Sequence, residues 1–147
     1  MTYKFSYQKI LNVRQIQEDQ KSSEVASAQS ELDVEKDQLS ELEKEKSSTL
    51  SQKENVNENT LDLLRKNSFV NQANDNIDKQ KKKIKEKEQN LSSKKDELLE
   101  ASKSRKIMDK LKETDLEKFK LEQSRKDQNQ LDEIGANIAL KKRRNNS

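Results

Sequence analysis

The chain of 147 residues has no cysteine, histidine, proline or tryptophan, and a single glycine, Gly135. Without His or Cys there is no imidazole base, no thiol nucleophile and none of the usual zinc ligand sets. Without glycine-rich stretches there is no loop that could cradle a phosphate. The absence of Cys fits a reducing compartment. Aromatic residues are 3% of the chain and the AVILMFWYC set only 28%, so close to three-quarters of the side chains are poor candidates for burial and no core of ordinary density can be filled. No run approaches the ~18 apolar residues of a membrane span, and the opening MTYKFSYQKILNVRQIQEDQ is too polar for a signal peptide. These absences predict a soluble cytoplasmic protein that is not an enzyme, holds no cofactor or metal and does not insert into the membrane.

Charge of one sign is lacking too. Lys+Arg number 31 and Asp+Glu 28, a formal net charge of +3. A dedicated nucleic-acid binder concentrates positive charge on one face, so no nucleic-acid partner is expected. The run KQKKKIKEKE at 79–88 has no stacking aromatics and reads as a solvated face, and the closing KKRRNNS places four cations where a helix dipole favours them.

What remains is charge, 40% of the residues, together with Leu, Gln, Asn and Ser. That composition suits a long helix or a disordered polyampholyte. The spacing of apolar residues decides between them. Val25, Ala28, Leu32, Leu39 and Leu42, with Glu35 in step, advance by alternating threes and fours, and Thr49, Val56 and Leu63 keep the register. Ile77, Ile84, Leu91 and Leu98 are strictly seven apart, joined by Ala101 and Met108. Both series are coiled-coil seams. They are dilute, since Glu35, Lys46, Lys53, Gln80, Lys87 and Lys94 fall at or near seam positions.

Between the two series Asn55, Asn57 and Asn59 cluster within five residues, as a turn or helix end requires. Thr60 is the expected N-cap of a second helix, with Asp62 near the positive end of its dipole. The prediction is an all-α fold: two long helices in an antiparallel coiled-coil hairpin, one domain over 1–147, with helices at about 3–57 and 60–140, a turn near 57–59 and a basic tail at 141–147. In such a hairpin facing residues have a constant number sum. Leu39 with Ile77, Leu32 with Ile84 and Val25 with Leu91 all give 116. The seven-residue period alone also allows 109 or 123, and the asparagine cluster selects 116.

In this register Tyr3 faces Glu113, and everything beyond about Thr114 overhangs. The overhang carries Leu116, Leu131, Ile134 and Ile138 within a sector of about 60° at ~100° per residue, with Phe119 at its edge. An amphipathic helix with an unpaired stripe seeks another surface. At the other terminus Tyr3, Phe5 and Tyr7 precede Ile10, Leu11, Val13 and Ile16, with apolar residues on more than one face. They serve either a local cluster with Ile107, Met108 and Leu111 or a partner-facing end. Phe69 and Val70 form an apolar spot near the hairpin tip, which packs on the end of the first helix or docks a partner.

Three stretches carry a resemblance to a known family. YKFSYQKILNVRQIQED opens the chain, NTLDLLRKNSFVNQANDNI spans 59–77, and KLKETDLEKFKLEQSRKDQNQLDEIGANIA lies near the end, with Leu131, Asp132, Glu133 and Ile134 as its most recognisable motif. In their order and spacing they resemble the FliJ family of the bacterial flagellar type III export apparatus. The chain departs from the family pattern at Gly135, where a helix former is usual, and at Ala73, where a larger aliphatic is common.

The resemblance implies a non-enzymatic antiparallel coiled coil, similar to the central stalk of rotary ATP synthases. Such a protein would bind the hexameric export ATPase, promote its assembly and activity, and couple it to the export gate membrane protein and to export chaperones, peripherally at the inner membrane. On that reading Tyr3, Phe5, Tyr7, Phe119, Leu131, Asp132, Glu133, Ile134 and Ile138 face the ATPase, and Phe69, Val70 and Ala73 face the gate. The alternative is a self-associating structural coiled coil whose overhang pairs with itself.

Overall fold

The computed structural model describes residues 2–51 and 59–146. It contains two helices, α1 (Gln8–Ser51) and α2 (Thr60–Asn145), packed against each other as an all-α hairpin. Asn55, Val56, Asn57 and Lys53 lie outside the described residues, as does most of the expected turn at 57–59. At its edge Asn59 acts as the N-cap of α2, not Thr60: the Asn59 side-chain Oδ1 accepts from the Asp62 N–H at 3.0 Å, and the Asn59 carbonyl accepts from Asp62 and Leu63. The short Asn side chain reaches the exposed N–H groups of the first turn from one residue earlier, which leaves Thr60 as the first helical residue. The helix continues to Asn145, so most of the expected basic tail is its last turn, with Lys142, Arg143 and Arg144 at the negative end of the dipole. Gly135 sits inside this helix in open space.

The helices pack as two compact units, Met1–Ile16 with Ser102–Ser147 and Gln17–Ala101. In the second, Ala28, Leu32, Ile84 and Leu91 form the buried cluster, with Val25 and Leu39 packed against it. Buried and half-buried positions include the unbroken series 18, 21, 25, 28, 32, 35, 39, 42, 46 and 49 on α1 and 73, 77, 80, 84, 87, 91, 94, 98 and 101 on α2. These are heptad seams of alternating threes and fours. Several polar residues at or beside the seam pair across the interface. Gln80 donates to Glu35. Lys87 pairs with Glu31 at 3.0 Å, Lys94 with Glu24 at 3.4 Å, and Lys21 with Glu97 at 3.1 Å. Their residue numbers add to 115 for the first pair and 118 for the other three, which straddles 116 and excludes 109 and 123. Leu63, expected to continue the seam, is exposed.

In the other unit α1 begins at Gln8, not near residue 3. Residues 2–5 have no helical structure and 6–7 form a turn closed by the Gln8 N–H on the Phe5 carbonyl at 3.1 Å. The physical reason is reach. A helix advances ~1.5 Å per residue and an extended chain ~3.3 Å, so each step that leaves the helix carries the chain about 2 Å further along α2, which takes Tyr3 past its helical position opposite Glu113. A helical Tyr3 would face Glu113; the extended one meets Phe119, with ring centroids 5.3 Å apart. The overhang therefore begins beyond Glu122 and not at Thr114.

Candidate partner-binding surfaces

Within the terminal unit the N-terminal segment lies on α2 as a strap. The Tyr3 hydroxyl donates to the Asp115 carboxylate at 3.0 Å and lies 3.5 Å from the Lys112 carbonyl. Partial desolvation and the neighbouring Asp115 carboxylate raise the Tyr3 pKa above 10.0, because both disfavour a phenolate. Phe5 is buried, with Tyr7 edge-on to it at 5.8 Å, and the Lys112 ammonium donates to the Gln8 Oε1 at 2.8 Å. Thr2, Tyr3 and Lys4 face Asp115, Lys118, Phe119 and Glu122 across an open groove of about 380 Å³.

Of the expected ATPase-facing residues, the structure brings Tyr3 together with Phe119 and Phe5 with Tyr7. It commits Phe5 to the fold and half-buries Tyr3 and Phe119. Leu131, Ile134 and Ile138 lie a dozen or more residues further along α2 and are 64%, 55% and 60% exposed, with Asp132 and Glu133 exposed beside them. At ~100° per residue the three aliphatics stand about 80–140° around the helix from the line of Asp115 and Phe119. The stripe thus presents a different side of α2 from the one that holds the strap. Met108 is half-buried, but Ile107 and Leu111 are exposed, so the expected cluster of all three with the N-terminus does not form.

In the other unit, Phe69 and Ala73 line a small groove of about 210 Å³ with Leu42, Glu45, Gln72 and Asn76. Phe69 is exposed and Ala73 half-buried; Val70 is half-buried outside this groove. Leu50, Leu61 and Leu64 are exposed as well. Leu64, which belongs to no seam, has as its one sequence signal its place in the first two turns of a capped helix.

Over residues 3–144 the chain matches the family described as Flagellar FliJ protein. It belongs to the FliJ family. Membership makes it a component of the flagellar export apparatus, in a family of structural export proteins and not of enzymes. No curated protein and no solved structure matches the chain. Among the described residues of this FliJ protein, no helix is long and apolar enough to cross a membrane. Its chemistry is that of contact: ion pairs and aliphatic stripes, with Lys21 paired to both Glu24 and Glu97. The Glu97 and Glu24 carboxylates raise the Lys21 pKa, and Lys21 in turn lowers that of Glu97.

Proposed function

We propose that this FliJ protein is the stalk of the flagellar export ATPase. It binds the ATPase ring through the end built from both termini, promotes ring assembly and hydrolysis, and couples the ring to the cytoplasmic part of the export gate. The observation that carries the reading is the stripe of Leu131, Ile134 and Ile138, exposed on a continuous helix beyond the reach of the strap. Exposed aliphatics at helical spacing fit a partner surface. The groove of Phe69 and Ala73 is the candidate gate contact, with Val70 beside it. Export chaperones are further candidate partners, and the protein acts peripherally at the inner membrane, on its cytoplasmic side. Hydrolysis by the cognate ATPase, measured with and without this protein and followed by sedimentation for hexamer formation, tests the proposal.

One observation favours a second reading, self-association. The exposed stripe of Leu131, Ile134 and Ile138 is also the surface that a second copy of the overhang would cover. A dimer by sedimentation of the protein alone, with no effect on the ATPase, would favour it.

A further inference from the structure

The apolar seam of Gln17–Ala101 does not choose its own alignment. Val25, Leu32 and Leu39 repeat every seven residues, as do Ile77, Ile84, Leu91 and Leu98. Sliding α2 along α1 by one heptad, about 10 Å, again sets aliphatic against aliphatic. The ion pairs discriminate little. One slide would re-pair Glu31 with Lys94 and the other Glu24 with Lys87, and these side chains are half-exposed, where such pairs are weak.

Gln80 breaks the repeat. It is the one buried polar side chain among the described residues, 6% exposed, between Ile77 and Ile84 in the seam. Its amide donates to the Glu35 backbone carbonyl at 2.9 Å and also to the Glu35 carboxylate. A slide of one heptad either way would set Gln80 opposite Ala28 or Leu42, which keep a backbone carbonyl but offer no side-chain acceptor. A buried amide that gives up a charged acceptor for aliphatic surroundings disfavours the arrangement that takes it away.

We propose that Gln80 and Glu35 form a register lock. The pair lowers the stability of the seam relative to an aliphatic pair and in return reinforces, within Gln17–Ala101, the alignment that the turn selects. The lock supplies what the dilute, evenly repeating aliphatics cannot.

The chain has no cysteine, so introduced thiols are the only ones and report alignment directly. Three full-length double variants serve: Glu24→Cys with Lys94→Cys for the native alignment, and Glu24→Cys with Lys87→Cys or Glu31→Cys with Lys94→Cys for the two slides. Each is treated at high dilution with a short bis-maleimide, and intramolecular product is measured. With Gln80 present, only the native pair should give product above background. Gln80→Leu should raise the melting temperature and raise slipped product at least fivefold. Glu35→Ala, which keeps the amide but removes its carboxylate, should also release the slides, and Glu35→Gln, which restores a side-chain acceptor, should abolish them again. If Gln80→Leu fails to fold, the Glu35 variants decide. Slipped product at background in Gln80→Leu, or in Glu35→Ala where that variant decides, overturns the lock.

Discussion

The ring of Tyr3 lies 5.3 Å from that of Phe119 with the planes 56° apart, while the Tyr3 hydroxyl donates to Asp115 one turn earlier on α2. Two contacts from one side chain at two levels of the helix hold the first residues extended. Because the strap depends on few contacts, Phe119→Ala should loosen it selectively. Amide exchange at Gln8, whose N–H is held by the Phe5 carbonyl, should speed up roughly two- to tenfold, the range that loss of an aromatic pair implies, with the protection of Leu32 and Ile84 unchanged. Equal loosening at both places would mean that the strap is part of the global unfolding unit.

The same contact makes a pH prediction. The folded state raises the Tyr3 pKa, so its contribution is complete below the ordinary value of 10.0 and is lost as pH climbs through the raised one. In Tyr7→Phe, which leaves Tyr3 as the only tyrosine, the ultraviolet phenolate titration should have a higher midpoint in buffer than in denaturant. Coincident midpoints would show that the hydroxyl is not held by Asp115.

Lys21 and Glu97 titrate in opposite directions. Glu97 is lowered from 4.5, so its contribution is present above that pH and is lost as pH falls; Lys21 is raised from 10.5, so its contribution is lost only as pH rises past that value. Glu97→Gln should therefore melt below the wild type at pH 7 and low salt, with the gap closing toward pH 3 and in high salt. A gap that persists at pH 3 would assign the effect to packing.

Leu32 is only 3% exposed at the centre of the buried cluster. Leu32→Ala should destabilise the hairpin by about 2–5 kcal/mol through lost burial and the cavity left behind, read as a lower denaturant midpoint at unchanged slope. An unchanged midpoint would contradict the seam.

The hairpin and its register were legible because heptad spacing is a property of the sequence: Leu32 and Ile84 needed only a place to turn, and the asparagines marked it. The strap was not legible. Tyr3, Tyr7 and Ile10 fit a helical face well, and only the ring of Phe119 and the carboxylate of Asp115, over a hundred residues away, make an extended segment the better solution. Nor could spacing show how Gln80 would be satisfied, since its partner is a glutamate that reads equally well as a solvated charge. The stripe of Leu131, Ile134 and Ile138 was visible as periodicity, but its place beyond the strap required the fold.

In the proposed stalk the stripe of Leu131, Ile134 and Ile138 works on a partner and not on the fold. The direct measurement is ATP hydrolysis by the cognate export ATPase, with wild-type protein and with the double variant Leu131→Ala, Ile134→Ala, each paired with a thermal melt. Wild-type protein should stimulate hydrolysis and drive hexamer formation. The double variant should lose most of that stimulation, by roughly tenfold or more as expected when buried contact residues are truncated, and melt within a degree or two of the wild type. Full stimulation by the variant would contradict a partner role for the stripe, and so would a loss that follows an equal collapse in stability.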